Sequence, residues 1–375
     1  MSRKDTWKQK ILGWLRLTDQ PEVKVYRGYG HVDKLVVHGH VFSLSPLPRK
    51  KYRNNVLTNT LALLRLFIVR PLSNATVRVC WVGQDIQGQT DKEGYFHLEW
   101  DPETPMNPGW HAITVELLAE NTPYADGRKW LNKPPDQWSS DAVIARCTGA
   151  VYVPHPTQYG CISDIDDTFL ISHSATKLKR LQVLLTENAH SRDPFEGVVE
   201  HYRMLAHAGT VVQAPNPFFY VSSSEWNLYD YILDFSEKND LPSGIYLLNQ
   251  LKRFSQILKT GQNKHATKFT RIARILLSYP GLKFVLLGDD TQEDPNIYAS
   301  IVSHFPDQIL CVYIRQVKEA HIERTRGYMA QVEAAGVAVC YFKHSREAME
   351  HSRRIGLADE IVTSNAAVLS PLRAD

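Results

Sequence analysis

At Pro154-His155-Pro156 the apolar pattern of this chain changes period, and that change sets what the chain can fold into. Before it, short runs alternate apolar and polar residues between turn residues; after it, apolar runs of strand length alternate with helical patterns. Prolines on both sides of a histidine oppose any continuing element, so the boundary falls there. Residues 21–155 therefore predict an all-β sandwich, and residues 156–375 an α/β domain with a mostly parallel sheet. A chain of 375 residues, 43% hydrophobic and 22% charged, has enough apolar content for two separate cores.

In the first domain, Leu35, Val37 and Val41 share one strand face while His38 and His40 take the other. Val77, Val79 and Trp81 form a second such set, and Ile113, Val115 and Leu117 a third, so each strand reads as half-buried. Between them, Asp91 and Gly94 suit a tight turn before the aromatic run of Tyr95 and Phe96, which predicts a hairpin. That turn and strand resemble the small prealbumin-like sandwiches.

Residues 1–20 form a separate N-terminal element. Trp7, Ile11, Trp14 and Leu15 recur at helical spacing among Lys4, Lys8, Lys10 and Arg16, giving a short basic amphipathic helix over residues 4–18. Packing onto the next domain is the favoured role, and lying in a lipid interface the alternative. A net charge of +3, spread along the chain, gives no case for nucleic acid. Five scattered cysteines without metal-ligand spacing fit a reducing compartment, and no apolar run is long enough to span a bilayer; the expected location is cytoplasmic.

Four constellations in the second domain carry chemistry. In Cys161-Ile162-Ser163-Asp164-Ile165-Asp166-Asp167-Thr168 an apolar strand ends in clustered carboxylates, where α/β folds bind ligands. Clustered carboxylates repel unless a cation sits among them, and hard oxygen ligands suggest magnesium. One carboxylate can attack phosphorus while another, two residues on, protonates the leaving oxygen. An acidic turn or helix cap is the competing reading. In Phe218-Phe219-Tyr220-Val221-Ser222-Ser223-Ser224 a strand delivers Ser222 to its carboxyl end, as a phosphate contact or as the start of a serine-rich loop. Lys268 opens a helical stretch with Ile272, Ile275 and Leu276 at core spacing; it is either a charge-neutralising lysine or a surface one, and Lys264 is its rival. In Phe284-Val285-Leu286-Leu287-Gly288-Asp289-Asp290, with Asp294 following, Gly288 allows close backbone approach while Asp289 and Asp294 can ligate a cation.

In this order the four resemble the motif set of the haloacid dehalogenase superfamily. More narrowly, Ser163-Asp164-Ile165-Asp166-Asp167-Thr168, Phe219-Tyr220-Val221-Ser222-Ser223-Ser224, Gly288-Asp289-Asp290 with Asp294-Pro295, and Val312-Tyr313-Ile314-Arg315 resemble the actin-patch-associated phosphatidate phosphatase family and its bacterial relatives. That resemblance implies a Rossmann-like domain that removes phosphate from phosphatidate with magnesium, through an aspartyl-phosphate. It implies Asp164 as nucleophile, Asp166 as general acid/base and metal contact, Thr168 as a brace for the loop, Ser222 as phosphate contact and Lys268 as neutralising cation. It implies Asp289 as magnesium ligand, with Asp290 or Asp294 in support. The chain departs from the pattern at Glu225, where proline is expected, at Asp290, where serine is frequent, and at Asn249-Gln250, where an Arg-Asp pair is expected. Residues 172–216 occupy the place of a substrate-covering cap, and Lys177, Lys179 and Arg180 beside Leu178, Leu181 and Leu184 suit an ordinary amphipathic helix or a lipid contact.

Overall fold

The computed structural model describes residues 12–47, 65–119, 142–155, 159–165, 197–210, 213–249 and 264–358, together with Trp7 and Lys10. The N-terminal part is mostly antiparallel β. Its strands are β1 (Leu17–Thr18), β2 (Glu22–Val25), β3 (Gly28–His31), β4 (Lys34–Pro46), β5 (Arg70–Pro71), β6 (Thr76–Trp81), β7 (Gln84–Gln89), β8 (Tyr95–Trp100), β9 (Gly109–Leu118) and β10 (Val143–Val153). Strand β4 pairs with β1, β2, β3, β5 and β8, while β10, β9, β6 and β7 run side by side. Strand β3 joins the two halves, antiparallel to β4 and parallel to β10. The three predicted apolar sets meet in one core, where Leu35, Val37 and Val41 pack with Val77, Val79, Trp81, Ile113, Val115 and Leu117.

Two expectations for this region need correction. The Asp91 turn exists, with Gly94 at φ +71° and Asp91 Oδ1 accepting from the amides of Glu93 and Tyr95, but it does not close a hairpin. It carries the chain from β7, which pairs with β6, to β8, which pairs with β4. Strand β4, read as half-buried, is buried on both faces: Val36, His38 and His40 are each no more than 1% exposed. Their covering is the second domain. Tyr26 and Phe42 share a core with α-helical residues there, and Tyr29, Val36 and Tyr152 share another.

The second domain is mixed α/β around a six-stranded parallel sheet of β11 (Gly160–Asp164), β12 (Phe218–Glu225), β13 (Gly244–Asn249), β14 (Phe284–Asp289), β15 (Ile309–Arg315) and β16 (Ala338–Phe342). Strands β11, β12 and β14 are the apolar runs singled out in the sequence. Helices α1 (Val198–His207), α2 (Tyr229–Lys238) and α6 (Ser345–Arg354) cover one face through Tyr202, Leu205, Phe235 and Ala348. Helices α3 (Lys264–Ser278), α4 (Asp294–His304) and α5 (Ile322–Ala334) cover the other through Ile272, Ile275, Ile297, Ile301 and Val332. The strand order is β13-β12-β11-β14-β15-β16. The chain thus winds outward from β11 through β12 to β13, then returns to lay β14 on the other side of β11. A crevice opens where the winding reverses, at the carboxyl ends of β11 and β14, and this is where such sheets bind ligands.

At the amino terminus the stripe divides: Trp7 and Trp14 are 69% and 78% exposed, while Leu15 is half-buried. Among the described residues no helix is long and apolar enough to cross a membrane.

Candidate active site at the sheet's carboxyl edge

Strand β11 ends at Asp164 and strand β14 at Asp289, so chain winding alone puts these two carboxylates on either side of the crevice. Both are fully buried, as are Ser222, in β12 just past its last residue paired with β11, and Asp294 at the start of α4. Lys268, from the first turns of α3, reaches between them. Its Nζ lies 3.1 Å from Asp164 Oδ1 and also donates to Asp294 Oδ1. The long stem crosses protein and leaves the residue only 5% exposed, so the surface-lysine alternative is ruled out. The side chain of Lys264 lies outside the described residues, as do Asp166, Asp167 and Thr168 of the first motif.

Local geometry holds the cluster. Ser163 Oγ donates to the carbonyl of Asp164 at 2.8 Å and accepts from Tyr202, 2.9 Å away. Asp289 Oδ1 accepts from both the amide and the hydroxyl of Thr291, at 2.7 and 2.6 Å. Ser222 Oγ accepts from the amide of Ser224 at 2.9 Å. Gly288 is required: a Cβ there would lie 2.8 Å from Asp294 Oδ2 and 2.9 Å from the Tyr298 ring. Tyr298 in turn donates to the carbonyl of Leu287 at 2.8 Å, pinning α4 to β14.

Asp290 is not part of the cluster. Successive residues leaving a strand point to opposite sides, and its carboxylate turns toward β15 and β16. Oδ1 accepts from the amides of Val317 and Lys318 at 2.8 and 2.9 Å, and Oδ2 accepts from the Tyr341 hydroxyl at 2.7 Å. With three protein donors it is a clamp on the loop after β15, and the metal role expected for it is withdrawn.

Two buried carboxylates, Asp164 and Asp294, therefore share one ammonium, and a third, Asp289, stands near enough to Asp294 to act on its charge. Burial pushes the Asp294 carboxyl above its ordinary range, Lys268 pulls it back and Asp289 pushes it up again. Asp294 Oδ2 is buried and meets no hydrogen-bond donor among the described residues. Excess buried negative charge is costly unless a cation joins it, and Lys268 is the cation recorded in contact with this set. Among the described residues no three acidic, histidine or cysteine side chains already surround a common metal position; Asp166 lies outside them.

Two further residues lie near the site: Arg271, which was not singled out in the sequence, and Arg315, named there only within its motif. Arg271, one turn after Lys268 on α3, donates to the carbonyls of Ser222 and Leu247 at 2.5 and 3.1 Å and ties the ends of β12 and β13 together. Its spacing of three from Lys268 was the available signal. Arg315, opposite Asp289 in the sheet register, is 5% exposed, donates to the carbonyl of Lys343 at 3.2 Å and to Ser345 Oγ, and stacks on Phe342.

Residues 159–316 match the family described as the catalytic domain of phosphatidate phosphatase APP1. Phosphatidate phosphatase APP1 of Saccharomyces cerevisiae is 32% identical over 163 residues, 43% of this chain and 26% of that protein. An uncharacterized protein of Schizosaccharomyces pombe is 29% identical over 185 residues, 48% of this chain and 28% of its own length. The chain thus spans about a quarter of these relatives. Among solved structures, a carbohydrate acetylesterase of Xanthomonas citri, XAC1771, aligns over 90% of this chain and 75% of its own at 8% identity with a TM-score of 0.32, too loose to carry an argument.

Proposed function

Residues 159–316 carry a catalytic domain of the APP1-like family, and from that premise we propose that the protein is a magnesium-dependent phosphomonoesterase of haloacid dehalogenase type, with phosphatidate as its first candidate substrate. The observation that carries the reading is the buried contact of Lys268 with both Asp164 and Asp294 at the winding reversal of the sheet.

In this reading Asp164 attacks phosphorus. An oxygen–phosphorus bond forms on its carboxylate as the bond to the leaving alcohol breaks, and Asp166 delivers a proton to that alcohol's oxygen. Water then cleaves the aspartyl-phosphate, with Asp166 as base, releasing phosphate and restoring Asp164. Lys268 offsets charge on the nucleophile and on the phosphoryl oxygens, which Ser222 also contacts. Asp164, Asp289 and Asp294, with the backbone carbonyl of Asp166, would hold magnesium, whose charge supplies further electrostatic stabilisation of the phosphoryl group. Thr168 braces the first loop. The burial of all three carboxylates supports this set.

We place the protein in the cytoplasm, peripheral to membrane through residues 4–18; the exposure of Trp7 and Trp14 supports that contact. A second reading, a soluble phosphate ester as substrate, is favoured by Asn249, which stands where the family pattern has a charged residue.

Release of inorganic phosphate from phosphatidate in mixed micelles and from a panel of soluble esters, with and without magnesium, tests reaction and substrate together. Magnesium-dependent release is expected; its absence from every ester would overturn the proposal.

A further inference from the structure

Strand β12 loses its regular pairing at Ser222, the residue assigned to the phosphoryl group. Its ladder with β11 runs to Asp164 and Val221, and its ladder with β13 slips after Val221 and Leu247, resuming at Glu225 and Asn249. Ser222, Ser223 and Ser224 thus stand opposite Leu248 alone. Such a slip re-aims side chains out of the regular pleat, and it gives up the regular hydrogen bonds that would hold the backbone in place.

Arg271 bridges that gap. Its Nη1 donates to a carbonyl on each strand at the slip, Ser222 of β12 at 2.5 Å and Leu247 of β13 at 3.1 Å. The guanidinium is itself aimed from α3: Nε donates to the Thr267 carbonyl at 3.1 Å and Nη2 to Thr267 Oγ1 at 3.4 Å. A lysine ammonium cannot make this forked set at once, and a charged donor binds a carbonyl more strongly than a ladder amide does. Three residues earlier on the same helix, Lys268 Nζ lies 3.1 Å from Asp164 Oδ1. One helix therefore sets the strand end that carries the nucleophile against the strand end that carries the phosphate contact.

Resting on the phosphatase reading, we infer that Arg271 is a positioning residue for the reaction: it holds the slipped end of β12 so that Ser222 meets the phosphoryl group that Asp164 attacks. Arg271 itself touches no reacting atom. A staple that merely joined two strands would make the same bonds, so the two roles separate only through what Ser222 does.

A double-substitution cycle on the full-length protein separates them: wild type, Ser222→Ala, Arg271→Met and the two combined, each assayed with magnesium on phosphatidate in mixed micelles and on p-nitrophenyl phosphate. Ser222→Ala is expected to lower kcat/KM about a hundredfold, and Arg271→Met alone about tenfold to a hundredfold. Once the Ser222 hydroxyl is gone there is nothing left to aim, so in the Ser222→Ala background the second substitution is expected to change kcat/KM by less than about twofold. The phosphoryl group is common to every ester, so the same pattern is expected on either substrate. Arg271→Lys keeps the charge and one donor for the Ser222 carbonyl; it is expected to recover part of the activity lost in Arg271→Met, and it carries the same cycle if the Met variant does not fold. An inert Ser222→Ala, or equal losses from the Arg271 substitution with and without the Ser222 hydroxyl, would reduce Arg271 to a strand staple and overturn the assignment while the phosphatase reading stands. Wild-type protein that releases phosphate from neither ester would remove that reading, and this assignment with it.

Discussion

The ammonium of Lys268 sits 3.1 Å from the carboxylate of Asp164, both sealed from solvent at the point where the sheet reverses its winding. Asp164→Asn removes the nucleophilic charge but keeps shape, and Lys268 retains Asp294 as partner. Turnover is expected to fall by at least about a thousandfold. The melting temperature is expected to hold or rise, because one of three crowded negative charges is gone. Phosphate release and calorimetry on the same sample check both; a variant with unchanged activity would remove the nucleophile assignment.

Lys268→Met gives the opposite balance. It leaves Asp164 and Asp294 buried with their cation removed, a change that costs about 3–5 kcal/mol in comparable buried pairs. Denaturant titration is expected to show that loss without magnesium and a smaller one with it, since a bound ion stabilises the folded state by mass action.

Asp289 and Asp290 are adjacent, yet their substitutions are expected to differ in kind. Asp289→Asn should abolish the thermal shift that millimolar magnesium produces in wild type. Asp290→Ala should retain that shift while losing about 2–4 kcal/mol of stability, because two amides and the Tyr341 hydroxyl lose a charged acceptor. Loss of the magnesium shift in Asp290→Ala would return that residue to the metal set.

How much of this was legible beforehand depended on what each residue's neighbours were. Four of the six parallel strands are central, and their long apolar runs identify them without knowledge of the rest of the fold. Strand β13 is an edge strand whose short run, Ile245 to Leu248, follows Leu241-Pro242-Ser243 and reads as loop. His38 and His40 lie on the strand face opposite Val37 and Val41 and so read as a solvent face; only the second domain, which the alternation does not report, makes that face interior. Asp290 shared the spacing of a metal ligand, but strand alternation already separated it from Asp289.

The same buried histidines give the pH dependence of stability. Burial lowers the pKa of His38, of His40 and of His201 from 6.5 to about 3, and His40 is hydrogen-bonded to the Tyr26 hydroxyl at 2.9 Å. Each folded-state value lies below the unfolded one, so the unfolded chain binds protons that the folded chain refuses. Stability from these groups is complete above pH 6.5 and is lost as pH falls toward 3. Each contributes a slope of up to about 1.4 kcal/mol per pH unit in that window. Because Tyr26 also stacks on Trp226 with ring centroids 4.0 Å apart, the domains share their interior, and acid should unfold them together. Calorimetry at neutral pH and at about pH 5 is expected to show one transition that moves to lower temperature. Two separated transitions, or one that does not move, would contradict the burial of His38 and His40 at the interface between the domains.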